Sequence, residues 1–145
     1  MIVELRDLAA MDAYGARIAA QLAPGDVVAL TGGLGAGKTT LSRAVIAALG
    51  HEGEVPSPTF TIIETYDFLR VPLVHADFYR LEHPSEADEL GLEDYRDGAA
   101  LLAEWPDHAG GFAHEPTCLS ITLETVGEGR QAIVEAGKAW QSRLP

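Results

Sequence analysis

The sequence predicts an α/β domain with a central, mostly parallel sheet, helices on both faces and a C-terminal β-hairpin. Three observations carry this. Residues 27–30 form a short apolar run, followed by a glycine-rich turn and then by helical apolar spacing across residues 40–49. Leu73–Asp77 and residues 99–104 are two more apolar runs, each ending in an acid, as strands covered on both sides do. Residues 117–125 alternate, with Leu119, Ile121 and Leu123 on one face, and Gly127-Glu128-Gly129 turns them into residues 130–136.

Length and charge bound what such a domain does. At 145 residues one domain over 1–145 is the simplest organisation, able to bury roughly 68% of its unfolded surface. A net charge of −12, with only 10 Lys and Arg, argues against a nucleic-acid grip of its own, because affinity for phosphate backbones rests on clustered cations. The single cysteine, Cys118, excludes an internal disulfide and reads as a small buried hydrophobe. The first residues carry acids where a signal peptide needs bases, and no apolar run reaches about 18 residues. A cytoplasmic protein with no membrane partner is expected.

Taken in order, Ile2–Leu5 reads as a first strand and residues 8–22 as a helix with Leu8, Met11, Ile18, Ala19 and Leu22 towards the core, ended by Pro24-Gly25. The second helix turns Leu41, Ala44, Val45 and Ala48 inward and stops at Gly50. Two prolines in 51–58 force extended loop backbone. Residues 59–66 are β-branched and aromatic, so they read as a strand. Residues 82–97 hold seven acids broken by Pro84 and Gly91. They read as short surface helices, Ser85 capping, either a solvated face or a dock for a basic partner. Trp105-Pro106 stops the 99–104 run, residues 108–111 are loop, and 137–143 are a short helix or a frayed tail.

The turn after residues 27–30 decides the chemistry. Gly32, Gly37, Lys38 and Thr39 stand at the spacing G-x-x-x-x-G-K-T, a phosphate-binding loop in its required strand-to-helix context, which makes the fold P-loop NTPase-like. Glycines let backbone N–H groups wrap an anion, and the following helix points its positive end at it. Gly32, Gly33, Leu34, Gly35, Ala36, Gly37, Lys38, Thr39 and Thr40 are therefore the candidate nucleotide-binding stretch. Lys38 reaches phosphate oxygens, and the Thr39 hydroxyl suits Mg²⁺.

Further acids follow. Asp77 ends a strand as a nucleotide-site carboxylate does. It shares a strand face with His75, a pair too small for zinc. Glu104, stranded after a buried run, needs a cation or an ion-pair partner, which makes it a metal-site candidate. Thr59, delivered by the proline loop, is either a γ-phosphate sensor or an ordinary turn residue. Trp105 is a core aromatic or packs beside the site. The chain has no asparagine, hence no N-K-x-D guanine motif, and no glycine follows Asp77 in Asp77-Phe78-Tyr79-Arg80. ATP is favoured by elimination.

Together GGLGAGKTTLSRA at 32–44, SPTFTIIETY at 57–66, HADFYRL at 75–81, LGLEDY at 90–95 and LLAEWPD at 101–107 resemble the TsaE family over nearly the whole chain. The resemblance implies a bacterial ATPase that supports the threonylcarbamoyl (t6A) modification of adenosine 37 in tRNA, working with the TsaD and TsaB proteins. It also implies that residues 34–39 hold phosphates, that Thr39 and Glu104 hold Mg²⁺, and that Thr59 and Asp77 join Lys38 in the hydrolytic centre. Arg130 would lie against the adenosine with Leu8 opposite. Gly33 departs from the family's usual Asp, removing one acid from the loop without altering the cradle.

No residue is marked as an arginine finger, although Arg43 and Arg80 are available, so slow hydrolysis accelerated by partners is expected. Two rivals stay open. A small-metabolite kinase would need a basic lid, whereas 82–97 is acidic. A non-catalytic, ATP-dependent assembly factor fits the same loop.

Overall fold

The computed structural model describes residues 1–145. Seven strands form one sheet: β1 (Ile2–Leu5), β2 (Val27–Thr31), β3 (Ile63–Tyr66), β4 (Leu73–Asp77), β5 (Ala100–Glu104), β6 (Cys118–Val126) and β7 (Gly129–Ala136), in the order β1-β7-β6-β2-β5-β4-β3. The neighbours β2/β5, β2/β6 and β4/β5 are parallel, while β1/β7, β3/β4 and β6/β7 are antiparallel. The sheet is thus parallel at its centre and antiparallel at both margins, more evenly mixed than the sequence suggested. The reason is local: β6 and β7 are joined by a turn at Gly127-Glu128, too short for a crossover.

The strand alternation sorts the core into two layers. Val28 and Leu30 of β2 face the layer containing Met11, Tyr14, Ile18, Leu41, Val45 and Ile46. Val27 and Ala29 face the opposite layer with Phe78, Ala87, Leu92 and Phe112. Helices α1 (Leu8–Gln21) and α2 (Lys38–Ala48) cover the first face, and the short helices α3 (Ser85–Glu89) and α4 (Leu92–Arg96) the second. Close packing of α1 on α2 depends on Gly15, where an added Cβ would lie 2.4 Å from that of Ala44.

Asp7 caps α1, its Oδ1 accepting from the Ala10 N–H at 2.8 Å. Met11, Ile18, Ala19 and Leu22 are buried as the periodicity predicts, but Leu8 is 75% exposed. It is the first helical residue and lines surface grooves instead of the core. In α2, Ala48 is likewise exposed and Ile46 takes the inward position. Residues 59–62 form a turn, not the start of a strand: the Ile62 N–H bonds the Pro58 carbonyl at 2.7 Å and Ile62 takes φ 68°. Ser85 is the first residue of α3 and caps nothing; Glu86 Oε1 instead accepts from the N–H groups of Glu82 and His83. Most of the acids in 82–97 are exposed.

The C-terminal segment is anchored rather than frayed. Trp140, in a 3-10 turn at Lys138–Trp140, is fully buried and donates Nε1–H to the Thr117 carbonyl at 2.7 Å. Arg143 makes a two-pronged pair with buried Asp26 at 2.6 and 2.7 Å and lies over the Trp140 ring. No helix is long and apolar enough to cross a membrane.

Candidate functional site

The chemistry-bearing residues converge where β2, β4 and β5 end and α2 begins. Leu30 of β2 and Asp77 of β4 both stand opposite Glu104 of β5 in the sheet register. Successive side chains of a strand alternate, so His75, Asp77 and Glu104 all project on the α2 side of the sheet. The loop from Gly32 to Gly37 enters α2 with Gly37 at φ 107° and no side-chain cap. Its orphan first-turn N–H groups and the helix dipole therefore face the cleft. Gly32 is needed on packing grounds, because an added Cβ would approach the Leu123 carbonyl at 2.7 Å. Gly33 has open space around it.

A cavity of about 340 Å³ brings together Leu34, Gly35, Gly37, Lys38, Thr39, Thr40, Ser57, Thr59, Asp77, Tyr79, Glu104 and Trp105. Lys38 is almost completely buried, with Nζ donating to the carbonyls of Gly32 at 2.6 Å and Gly33 at 2.9 Å. Burial pulls its pKa down, while Glu104 and Asp77 oppose the shift. Burial likewise raises the pKa of Asp77, against the N–H of Tyr79 that its Oδ1 accepts at 3.0 Å. Thr39 Oγ1 donates to Glu104 Oε1 at 3.0 Å. Glu104 Oε2 accepts from His75 Nε2 at 2.7 Å and from Ser42 Oγ at 3.3 Å. Thr59 Oγ1 shares a hydrogen bond of 2.7 Å with Ser57 Oγ at the rim.

Trp105 adopts φ 54°, unusual for a bulky residue. That conformation holds its indole 4.6 Å from Lys38 Nζ and in contact with Tyr79 and His108, forming an aromatic wall.

Leu8 and Arg130 do not line this cavity. They share a neighbouring one of about 150 Å³ with Leu5, Asp7, Met11, Gly35, Gly37, Thr40, Glu128 and Gly129. Arg130 clamps the loop: Nη2 donates to the Gly35 carbonyl at 3.0 Å and Nε to that of Ala36 at 3.2 Å. A third and larger groove, about 810 Å³, runs between α1, α2 and residues 53–56. Asp12, Glu54, Thr40 and Arg43 are among its lining, but none of Lys38, Thr39, Asp77 and Glu104 is. Neither of the arginines left open as fingers reaches the cleft wall: Arg43 lines that groove and donates to the Val55 carbonyl, and Arg80 lies over the exposed Phe60 ring.

The donors fit a hard divalent cation. A threonine hydroxyl and a carboxylate oxygen 3.0 Å apart, with Asp77 in the same cavity, match the few oxygen ligands Mg²⁺ takes from protein alongside water and phosphate. No group of three or more His, Cys, Asp or Glu side chains is arranged to hold a metal. Two buried polar residues escaped the sequence reading. Ser42 carries no motif, and the sequence offers His75 only as half of a zinc pair; its spacing from Asp77 signals a shared face but not the bond to Glu104.

Residues 5–133 match the family model for threonylcarbamoyl adenosine biosynthesis protein TsaE. The chain belongs to the TsaE family. It is similar to proteins named tRNA threonylcarbamoyladenosine biosynthesis protein TsaE from Haemophilus influenzae, at 40% identity over 94 residues. The same name attaches to relatives from Synechocystis, at 42% over 108 residues, and Bacillus subtilis, at 48% over 83 residues. These matches cover 64%, 71% and 57% of this TsaE chain. The chain spans 60% of the length of the Haemophilus relative, 68% of the Synechocystis one and 51% of the Bacillus one. The crystal structure of Bacillus subtilis YdiB has the same mixed α/β architecture, with a TM-score of 0.80 at 29% identity, covering 98% of this TsaE chain and 89% of that one.

Proposed function

We propose that this TsaE chain binds Mg²⁺-ATP in the cleft and hydrolyses it in support of t6A formation at adenosine 37 of tRNA. The observation that carries the reading is the convergence of Lys38, Thr39, Asp77 and Glu104 on one cavity beside the α2 N-terminus. Loop N–H groups and Lys38 hold the phosphates, with Thr40 beside them. The nucleoside extends over Gly35 and Gly37 towards Leu8 and Arg130. Thr39 and Glu104 would hold Mg²⁺, which would supply charge neutralisation for the phosphates. Asp77, made a stronger base than an exposed carboxylate by the burial that raises its pKa, in its ionised form orients the attacking water and accepts its proton. Thr59, which lines the cavity from the turn after the proline loop, senses the terminal phosphate.

The partners are TsaD and TsaB, which supply the grip on tRNA that a chain of charge −12 does not. Leu34 and Phe60 are 80% and 84% exposed, Leu34 in the cavity wall and Phe60 next to Thr59. Apolar side chains so placed suit a docking partner that senses the nucleotide state. The test is phosphate release by the purified chain with and without TsaB and TsaD, beside a Lys38→Ala control. Stimulation of 10³-fold or more is the scale of a supplied arginine. Equal rates would remove partner activation, and no release under either condition would leave the assembly-factor role, with nucleotide occupancy as the signal.

A further inference from the structure

Glu104 has two carboxylate oxygens in different surroundings. Oε1 faces the cleft and takes the Thr39 hydroxyl at 3.0 Å. Oε2 is turned between sheet and α2, where His75 Nε2 lies at 2.7 Å and Ser42 Oγ at 3.3 Å. His75 and Ser42 are fully buried, and Glu104 nearly so.

The two anchors are unequal. Ser42 has one hydroxyl proton and two acceptors in reach, and the Lys38 carbonyl one turn earlier is nearer, at 2.9 Å. At 3.3 Å its hold on Oε2 is the weaker one. The imidazole at 2.7 Å is therefore the main restraint on Oε2. A carboxylate can only accept, so Nε2 carries the proton and donates. His75 Nδ1 is sealed from solvent with no partner. A buried polar atom left unpaired costs stability, so this ring is kept for what Nε2 does.

We infer that His75 is a positioning residue that withholds Oε2 and makes Glu104 a one-oxygen ligand for the divalent cation, thereby favouring Mg²⁺ over Ca²⁺. This rests on the cleft taking a Mg²⁺-nucleotide. Mg²⁺ demands a near-octahedral shell at about 2.0–2.1 Å, whereas the larger Ca²⁺ accepts bidentate carboxylates at about 2.3–2.6 Å. A glutamate free to rotate offers both oxygens. One whose second oxygen is held by an imidazole offers one.

The test is nucleotide affinity in EDTA, in Mg²⁺ and in Ca²⁺, by titration of a fluorescent ATP analogue, for the native protein, His75→Leu, His75→Gln and Ser42→Ala. The native protein gains affinity with Mg²⁺. In His75→Leu that gain falls by about 10- to 100-fold and the Mg²⁺ over Ca²⁺ preference narrows, with EDTA affinity unchanged. His75→Gln, which restores an N–H donor near Nε2, recovers part of both, and Ser42→Ala loses little. A folded His75→Leu with the native Mg²⁺ gain and the native preference overturns the inference and leaves the ATPase reading standing. A native protein with no Mg²⁺-dependent gain overturns both. Nitrogen NMR of ¹⁵N-histidine-labelled native protein gives a readout free of any variant's folding: an Nε2-bound proton on His75 agrees, and an Nδ1–H tautomer overturns it.

Discussion

The Lys38 ammonium lies 4.6 Å from the centroid of the Trp105 ring while donating to the carbonyls of Gly32 and Gly33. One cation is thus shared between its own loop and an aromatic wall, and a phosphate entering the cradle must draw it away from both. Binding of Mg²⁺-ATP is expected to change Trp105 emission, while Trp140, buried in the C-terminal segment, stays silent. Lys38→Ala should weaken binding by about 10- to 100-fold, the scale of a lost hydrogen bond to charge. Fluorescence titration of the Trp140→Phe background checks both; an unchanged spectrum at saturation would show that the ammonium does not move.

Glu104→Ala removes the shared acceptor of Thr39, Ser42 and His75. Turnover should fall at least 100-fold with nucleotide affinity in EDTA preserved, and stability should drop by about 1–3 kcal/mol because buried donors lose their partner. Calorimetric titration alongside urea unfolding separates the two effects.

Asp77 is held above the ordinary carboxyl range, chiefly by burial. An acid whose folded pKa is raised gives stability that is complete below its unfolded value of 3.8 and is lost as pH rises through the folded one. Asp77→Asn keeps an oxygen for the Tyr79 N–H and carries no charge. It should melt above the native protein at pH 7, with the gap closing towards pH 4, and lose hydrolysis throughout. Melting curves across that range decide; a gap that widens on acidification would mean that folding lowers the Asp77 pKa.

Tyr14 is fully buried, its hydroxyl has no partner, and burial pushes its pKa up to about 12. Its contribution is complete below pH 10 and lost as pH rises from 10 towards 12. Tyr14→Phe is expected to be neutral or stabilising by up to about 1 kcal/mol at pH 8 and to flatten the alkaline loss. Denaturation at pH 8 and pH 11 is the check.

Gly33→Asp places a side chain where nothing lies within 4 Å, so stability should stay within about 0.5 kcal/mol. Asp26→Ala does the opposite. It strips Arg143 of its pair and the Ala23 N–H of its acceptor, costing about 3 kcal/mol. Thermal melts of both variants, run together, test the contrast between a roomy loop and a filled one.

What the sequence disclosed was what is local. The β2-loop-α2 unit, β4 and β5 were legible because apolar runs and glycine spacing act over a few residues. Residues 59–62 have a β-branched composition that says strand, but the Ile62 turn onto the Pro58 carbonyl overrides it. The pairing of β1 with β7 was not legible, since no short-range signal links residues 2–5 to 130–133. Asp77 and Glu104 could be picked as strand-end acids, but the imidazole holding Glu104 comes from 29 positions away in sequence. The hairpin that carries Arg130 is legible from its alternation and glycine turn, but its grip on the Gly35 and Ala36 carbonyls depends on tertiary docking across some 95 residues, which no local signal encodes.

That clamp has a consequence for how the molecule is born. Synthesis proceeds from the N-terminus, so the Gly32–Gly37 cradle leaves the ribosome before the guanidinium that fixes it, which arrives some 95 residues later. β1, too, waits for β7 to dock. A nascent chain therefore carries an unset cradle until Arg130 has emerged and β7 has paired, and competence to take a ligand waits on that pairing.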